Sequence, residues 1–463
     1  MNTPNILFIF SDQQRWDTLG CYNESIDFTP NLDRLAAEGV KFSSAFTCQP
    51  VCGPARACLQ TGLYATQAGC YRNNIALPEG VTTIAERFNQ QGFETAYIGK
   101  WHLASNGGLS LENIGRSFDY AKRPVPEHLR GGYKDYWLAA DVLEFTSDGY
   151  GGHMFDGGGN RVDFKGYRVD CQTDFALEYL KNRKTDKPFF LFISYLEPHH
   201  QNNAFHFQGP EGSKERFKNY PVPEDLRRLP GNWKEEYPDY LGCCASLDYN
   251  AGRLIDALKR RGEYDSTLIV YTSDHGSHFK TRNGEYKRSC HDSSVHIPLI
   301  IRGPGFSGGK ASGDMVSLTD LPVTLLRGGG IDIPPELPGC PLQRLASGNN
   351  EDWPQEVFLQ ISESQVGRAI RTKKWKYSVS APGKSGWLSA GAKVYREEFL
   401  YDLENDPHEL NNLVLSAQHA EVREALRQRL IERMVSAGEK APKITGSRRR
   451  RSAPRGGSAR PGC

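Results

Sequence analysis

Three apolar runs, each followed by polar residues, constrain the fold of this chain more than any other feature of the sequence. The runs lie at Asn5 to Phe10, Lys187 to Leu196 and Thr267 to Ser273, and they are continuous rather than alternating. Continuous runs are typical of strands in a parallel sheet that is buried on both faces. A chain of 463 residues has room for two or three domains. We therefore predict an α/β fold with a large, mostly parallel central sheet flanked by helices.

Polar side chains that bind metals stand directly after the first and third runs. Asp12 and Gln13 follow the first run, and Asp274 and His275 follow the third. Because open α/β sheets place their sites at the carboxyl ends of the strands, we expect the four side chains to meet at one edge. Their oxygen and nitrogen atoms are ligands for a divalent cation. The alternative for Asp12 alone is a cap on the next helix.

The segment from Pro50 to Gly62 contains a candidate nucleophile. Cys52, Pro54 and Arg56 form the pattern Cys-x-Pro-x-Arg, and a helix-compatible apolar run follows. At the start of a helix, free backbone N–H groups and the helix dipole favour an anion, which suits a nucleophile. The alternative is a cysteine that serves as a small buried apolar residue.

This segment, including its Thr61-Gly62 ending, resembles the active-site motif of the type I sulfatases, which belong to the alkaline phosphatase superfamily. Gly92 to His102 and Ser273 to Gly276 resemble further motifs of that family, in the same order. The resemblance implies an alkaline phosphatase-like fold and the oxidation of Cys52 to formylglycine (3-oxoalanine) by a dedicated enzyme. One hydroxyl of the hydrated aldehyde would attack sulfur, and the second would then eliminate sulfate.

The same resemblance implies roles for the residues around Cys52. Arg56 would hold the aldehyde hydrate, and Lys100 would neutralise charge that develops on the ester. His102 would take the proton from the second hydroxyl, whereas His199 would contact the sulfate and protonate the leaving oxygen. These assignments define the expected catalytic group.

A further lysine is expected to bind the sulfate. Lys280 and Lys287 compete for this role, and Lys287 fits better the family's spacing to the apolar strand at His296 to Ile301. Lys280 stays a candidate for substrate binding. His200 is a weaker candidate that could exchange roles with His199. His278 and His291 are candidates to line the pocket, with a solvated side chain as the alternative.

Gln13 leaves the metal and the substrate open. Sulfatases commonly have an acidic residue at this position, and the glutamine resembles the phosphonate monoester hydrolase branch. Calcium is the first choice, and manganese and magnesium are alternatives. We expect a sulfatase acting on a carbohydrate sulfate ester. The alternatives are a phosphonate monoester or phosphodiester hydrolase with the same site, and a non-catalytic protein that binds a sulfated polymer.

Composition changes along the chain predict its domains. Residues 1–340 are expected to form the catalytic domain, and residues 341–440 resemble the family's C-terminal α+β subdomain, an antiparallel sheet with one helix. Residues 441–463 are expected to be a disordered basic tail. Gly107 to Phe164 shows no sustained periodicity and is predicted to be a binding loop or lid.

Charge and cysteine content limit the expected partners. Lys and Arg number 57 and Asp and Glu 55, so no general argument favours nucleic acid or an anionic membrane. The start of the chain lacks the features of a signal peptide, and the eleven cysteines show no disulfide spacing. We expect a cytoplasmic protein whose partners are a sulfated substrate and the formylglycine-generating enzyme. The oligomeric state stays open.

Overall fold

The computed structural model describes residues 3–107 and 118–447. The strands in this part of the chain, β1 to β18 in chain order, are Asn5–Ser11, Val40–Phe42, Ala45–Phe46, Glu94–Lys100, Tyr136–Ala140, Ser147–Asp148, Gly151–Asp156, Arg161–Lys165, Phe189–Ser194, Thr267–Ser273, Leu299–Arg302, Lys310–Ser312, Val316–Ser317, Glu356–Ile361, Gly367–Thr372, Trp375–Ser380, Val394–Asp402 and Lys443–Thr445. The helices, α1 to α11, are Pro30–Glu38, Cys52–Thr61, Ile84–Gln90, Arg168–Asn182, Ser213–Phe217, Glu224–Arg227, Trp233–Arg260, Asp292–Val295, Asp320–Gly328, Gln343–Ala346 and Ala420–Ser436.

A large central sheet dominates the molecule, which confirms the predicted α/β fold. Its strand order is β12-β2-β11-β10-β1-β9-β4-β5-β7-β6, and β8 pairs with β7. The neighbours from β10 through β1, β9 and β4 to β5 are all parallel, whereas β11 runs antiparallel to β10. The three continuous apolar runs of the sequence are therefore the three central strands, β1, β9 and β10.

Helices cover both faces of this sheet, which explains why its central strands are apolar throughout. In β1, Ile6, Phe8 and Phe10 join a core with α2, α3 and α9. Leu7 and Ile9 point to the opposite face and join a second core with α1, α4 and α7. Because successive side chains of a strand alternate between faces, only a strand that is apolar at every position fits between two helical layers.

The register of the strands positions the residues that follow them. Ser11 of β1 lies opposite Ser273 of β10, so Asp12 and Asp274 leave the sheet side by side. Phe10 lies opposite Ser194 of β9, and Ser194 in turn lies opposite Gly99 of β4. The carboxyl ends of four strands thus converge at one edge of the sheet.

A second sheet follows in the order β14-β15-β16-β17-β18. Its pairs are antiparallel except for β17 and β18, which run parallel. Leu426, Leu430 and Met434 of α11 pack on one face of the sheet. The other face packs against the main domain, where Leu359 shares a core with Phe46. The single helix on a mostly antiparallel sheet agrees with the expected C-terminal subdomain.

Two details differ from the predictions. The strand Lys443–Thr445 falls within the segment 441–463 that was expected to be disordered, and Ile444 packs against the second sheet's core. The segment 107–164, expected to be irregular, contains β5 to β8, and β5 extends the central sheet beside β4. Glycines and half-exposed positions in β7 hide the period of a strand. Residues 108–117 and the arginines at 448–451 lie outside the described residues.

Among the described residues, none of the helices combines the length and the apolar character that a bilayer span requires.

Candidate active site

Four buried side chains meet where β1, β10 and α2 come together: Asp12, Cys52, Asp274 and His275. One donor atom from each lies within 4.8 Å of the others. The Cys52 Sγ atom is 3.4 Å from Asp12 Oδ1 and 3.3 Å from His275 Nε2. The strand ends that the sequence placed at one edge of a sheet therefore do meet around the cysteine.

Helix α2 presents Cys52 as its first residue. The backbone N–H of Gly53 donates to Asn73 Oδ1 at 2.9 Å, which satisfies one of the free donors of the first turn. A Cβ atom at residue 53 would lie 2.9 Å from the same oxygen, so a larger residue here would displace the Asn73 side chain. Gly62 ends the helix in a left-handed conformation with φ 78°. The glycines at both ends thus fix the position of the cysteine.

Cations surround the Cys52 sulfur. Lys287 Nζ lies 2.8 Å from Sγ and 3.0 Å from His199 Nε2. Burial raises the pKa of the Cys52 thiol, but Lys100, Lys287 and His275 outweigh that effect and bring the pKa well below its ordinary value. The buried lysines therefore favour the thiolate over the thiol at this position.

Asp12 is fixed by two of these cations. Lys100 Nζ lies 2.9 Å and an Arg56 amino nitrogen 3.0 Å from Asp12 Oδ2, which leaves Oδ1 directed at the sulfur. Burial and Cys52 raise the pKa of Asp12, yet Lys100, His199 and Arg56 hold it below its ordinary value. Arg56 also donates to Ser194 Oγ at 2.7 Å. Arg56 thus ties Asp12 to the end of β9.

The donor set fits a divalent cation. Asp274 Oδ1 accepts the backbone N–H of Gln13 at 2.9 Å, but Oδ2 is buried without a hydrogen-bond partner among the described residues. Burial and the neighbouring Asp12 raise the pKa of Asp274 to about 7. His275 Nδ1 lies 2.9 Å from the carbonyl oxygen of Gly276, so Nδ1 carries the proton and Nε2 presents its lone pair to the cluster. A bound cation would compensate the buried carboxylates.

Gln13 lies beside this donor set. Its backbone has φ 69°, in the left-handed region, and its Oε1 accepts from Lys287 Nζ at 3.3 Å. The amide oxygen therefore faces the cluster together with the two carboxylates.

Two histidines lie against the same cluster. His102 follows β4 and contributes to the lowered pKa of the Cys52 thiol, while its Nδ1 is buried without a hydrogen-bond partner among the described residues. His199 Nδ1 lies 2.6 Å from the carbonyl oxygen of His200. Burial, Lys287 and Lys100 lower the pKa of His199.

Two of the candidate substrate-binding residues share one aromatic ring. His200 stacks on Tyr286 with ring centroids 4.4 Å apart, and Lys280 Nζ lies 4.9 Å from the centroid of that ring. Both side chains therefore pack against Tyr286, the residue before Lys287 in the chain.

The other two candidates have contacts away from the sulfur. His278 Nε2 lies 3.0 Å from the carbonyl oxygen of Lys287, so it braces the backbone of that lysine. His291 Nε2 lies 3.2 Å from the Tyr401 hydroxyl and its ring packs against Phe399. The structure places His291 at the junction with the second sheet.

Two buried glutamates belong to the site but were not found in the sequence. Glu144 Oε2 lies 3.4 Å from Lys100 Nζ, and although burial raises its pKa, Lys100 lowers that pKa to about 2. Glu363 accepts the backbone N–H of Asn73 at 2.7 Å and pairs with Arg288 at 2.6 Å. Glu363 follows β14 of the second sheet, whose antiparallel pairing lies outside the rule that found Asp12, and no pattern marks Glu144.

A parallel α/β sheet that carries a buried nucleophile, paired carboxylates and several cations at its carboxyl edge has the components of an ester hydrolase. The family model described as Sulfatase matches residues 4–331. A second model, N-sulphoglucosamine sulphohydrolase, C-terminal, matches residues 284–436. The chain belongs to the sulfatase family and is a sulfuric ester hydrolase, which confirms the resemblance seen in its motifs.

Sequence similarity to other proteins extends over nearly the whole chain. The uncharacterized sulfatase YidJ of Escherichia coli (strain K12) is 29% identical over 473 residues, which cover 94% of this chain and 88% of that protein. An N-acetylglucosamine-6-O-sulfatase of Bacteroides thetaiotaomicron is 26% identical over 514 residues, with 93% and 86% covered.

Solved structures share the same architecture. The putative sulfatase yidJ from Bacteroides fragilis superposes with a TM-score of 0.80 at 25% identity, covering 94% of this chain and 96% of that one. Phosphonate monoester hydrolase of Agrobacterium radiobacter superposes with a TM-score of 0.70 at 24% identity, covering 94% and 96%. The similarity to the phosphonate monoester hydrolase shows that the two proteins share a fold.

Proposed function

We propose that this sulfatase hydrolyses a sulfate ester on a carbohydrate, using formylglycine made from Cys52 and a divalent cation. The observation that carries the proposal is the position of Cys52. It begins a buried helix, with Lys287 Nζ at 2.8 Å and Asp12 Oδ1 at 3.4 Å from its sulfur. A group at this position faces cations that can hold a transferred sulfate and carboxylates that can hold a metal.

The metal ligands we propose are the side chains of Asp12, Gln13, Asp274 and His275. Three of these donors are oxygens, so calcium is our first choice over manganese and magnesium. When bound, the cation would stabilise negative charge on the sulfate oxygens. Asp274 Oδ2 supports this assignment because it is buried without a hydrogen-bond partner among the described residues, and its nearest cation, Arg56 Nε, lies 3.7 Å away.

The residues around Cys52 would handle charge and protons. The formylglycine hydrate supplies the hydroxyl nucleophile once a formylglycine-generating enzyme has acted. Lys100 and Lys287 hold positive charge beside the reacting group, and Arg56 keeps Asp12 in place. We assign to His102 the removal of the hydroxyl proton and to His199 the return of a proton to the leaving oxygen.

An exposed tryptophan supports a sugar as the substrate. The Trp387 side chain is 40% exposed, and the Arg288 guanidinium carbon lies 5.5 Å from the centroid of its ring. Arg288 pairs with Glu363, and Glu363 binds the backbone of Asn73, whose side chain holds the start of α2. An aromatic face linked in this way to the nucleophile can stack on a pyranose ring. The activity named for the N-acetylglucosamine-6-O-sulfatase relative supports the same substrate class.

Gln13 favours one alternative. A neutral amide in place of a carboxylate makes the metal site less negative, and a phosphonate monoester hydrolase shares the fold. The alternative is therefore a phosphonate monoester or phosphodiester hydrolase with the same site. Rates on matched sulfate and phosphate esters of one sugar or aryl alcohol distinguish the two functions, and we expect the sulfate ester to react faster.

Mass spectrometry of the tryptic peptide from Phe42 to Arg56 tests the nucleophile. The protein is coexpressed with a formylglycine-generating enzyme, and we expect an aldehyde at Cys52. The peptide that contains Cys58 serves as the control and should retain its thiol. A thiol at Cys52 despite the enzyme would contradict the proposal and would favour the non-catalytic, polymer-binding alternative.

A further inference from the structure

The chain as encoded carries a thiol at the centre of its metal site. Cys52 Sγ is 3.3 Å from His275 Nε2 and 3.4 Å from Asp12 Oδ1. His275 Nε2 is 3.5 Å from Asp274 Oδ1 and 3.9 Å from Asp12 Oδ1. Zinc bonds of about 2.0–2.3 Å to sulfur, nitrogen and oxygen place neighbouring ligands of a tetrahedron roughly 3.3–3.6 Å apart. Three of these four distances fall in or near that range, and all four donors lie within 4.8 Å of one another, so their spacing approaches that of a tetrahedral zinc site.

Two further observations point to a bound metal. Asp274 Oδ2 is buried without a hydrogen-bond partner among the described residues, and Arg56 Nε, its nearest cation, lies 3.7 Å away. His275 Nδ1 is engaged by the carbonyl oxygen of Gly276, which fixes the tautomer that presents Nε2 to the cluster. A backbone carbonyl behind a ligating histidine is a common second shell of zinc sites. Both observations come from atoms other than the sulfur.

We propose that the folded protein with Cys52 unconverted binds Zn²⁺ through Asp12, Cys52, Asp274 and His275, and that the protein with Cys52 oxidised lacks this preference. The thiol proton leaves to solvent when the sulfur binds the metal. Lys287 Nζ, 2.8 Å from the sulfur, donates to the bound thiolate from outside the donor set. The inference rests on the proposed function for the identity of the three metal ligands other than Cys52.

The sulfur ligand decides which metal ion the site prefers. Thiolate is a soft ligand that selects zinc, whereas carboxylate, amide and carbonyl oxygens suit calcium, magnesium and manganese. With the thiolate present, the set carries the donor types of a protein zinc site. Conversion of Cys52 to an oxygen-bearing side chain leaves oxygens and one imidazole. The unconverted and converted forms of the protein would therefore differ in metal preference as well as in the nucleophile.

The test uses the full chain with Cys52 verified as a thiol by mass spectrometry and with bound metals removed by a chelator. Addition of Co²⁺, a spectroscopic substitute for zinc, should produce a sulfur-to-cobalt charge-transfer absorption at one equivalent. Competition with a chromophoric chelator should show that one Zn²⁺ binds at least about tenfold more tightly than in Cys52→Ser. The Cys58→Ser variant, changed on the same helix but in the main core, should behave like the wild type.

Two results would overturn the inference: a cobalt complex without the sulfur absorption, or equal zinc affinity in the wild type and in Cys52→Ser. Because both measurements use the unconverted protein, a lack of sulfatase activity after conversion would leave the zinc inference standing. Conversely, an active converted enzyme whose thiol form shows no cobalt–sulfur absorption would retain the proposed function and refute the zinc site.

Discussion

At the scale of single residues, the charges that enclose residue 52 decide what its side chain can do. Lys287 lies 2.8 Å from the sulfur, and Lys100 lies 2.9 Å from the neighbouring Asp12. Both lysines are buried. Ammonium groups removed from water stabilise a nearby anion far more than exposed ones. The same cations that ionise the thiol are therefore available to a sulfate group.

Replacing Lys287 with methionine tests this electrostatic role. The variant keeps most of the volume but loses the charge, so kcat should fall about 10²–10³-fold, as for the loss of one oxyanion contact. Steady-state kinetics on a sulfate ester measure the change. The control is Lys374→Met, which removes a surface charge paired with Glu404 and should leave kcat within about twofold. A kcat for Lys287→Met near that of the wild type would contradict the assignment.

The sequence predicted much of this site because strand ends carry a recognisable pattern. Asp12, Gln13, Asp274 and His275 were found as polar residues directly after continuous apolar runs, and the structure brings them together. Glu144 was not found, since it lies in a short 3₁₀ helix within a segment without periodicity. His291 was expected near the pocket, but its position depends on the second sheet, which no local pattern reveals.

At the scale of elements, the segment after β14 connects the second sheet to the start of α2. The Glu363 side chain accepts the backbone N–H of Asn73 at 2.7 Å, and the Glu363 backbone N–H donates to the carbonyl oxygen of Gly386. Trp387 follows directly and packs near Arg288. The second sheet therefore contributes an aromatic side chain close to the nucleophile helix.

Replacing Trp387 with alanine should weaken binding of a sulfated sugar. Loss of one aromatic contact of about 0.5–1.5 kcal/mol predicts a KM roughly 2–10 times higher, with kcat little changed. A small aryl sulfate that does not reach the ring should keep its KM. Leu388→Ala, at the neighbouring exposed position, is the matched control. An unchanged KM for every sulfated sugar that the enzyme hydrolyses would refute the stacking role.

At the scale of the whole molecule, buried charges join the two sheets. Asp292 of α8 accepts a hydrogen bond from Arg371 at 3.0 Å and another from Lys376, both on the second sheet. Lys376 also binds Glu409. The interface also holds Glu363, which binds the backbone of Asn73 beside the start of α2.

The Asp292 carboxylate should make the stability of the protein depend on pH. Burial raises its pKa, but Arg371 and Lys376 lower it more, so it lies below the ordinary value of 3.8. The contribution of the carboxylate is then complete above that value and is lost as the pH falls through the lower folded-state pKa. Asp292→Asn should destabilise the protein by about 1.5–3 kcal/mol near neutral pH.

Thermal unfolding of Asp292→Asn at several pH values measures this effect. The difference in Tm between wild type and variant should be largest at about pH 6 and should decrease as the pH falls below about 4. Asp265→Asn, whose carboxylate is 89% exposed in its pair with Arg302, should show almost no gap. A gap for Asp292→Asn that does not depend on pH would contradict the charge argument.

The fold class could be predicted from the apolar runs, because a strand buried on both faces has few other solutions. The strand order could not, since it depends on contacts between distant segments such as β11 and β2. Strands β5 to β8 were missed because their exposed faces and glycines weaken the pattern. The domain limits and a cytoplasmic location stay predictions. The ten cysteines in the described part of the chain are free thiols.

The most direct test of the account is sulfate release by the matured enzyme, compared between the wild type and Cys52→Ala. Both proteins are coexpressed with a formylglycine-generating enzyme, and free sulfate is quantified from a panel of sulfated sugars. Cys58→Ala, the same change on the same helix, is the matched control. We expect Cys52→Ala to fold like the wild type and to release no sulfate, whereas Cys58→Ala stays active. Substantial sulfate release by Cys52→Ala would contradict the assignment of Cys52 as the source of the nucleophile.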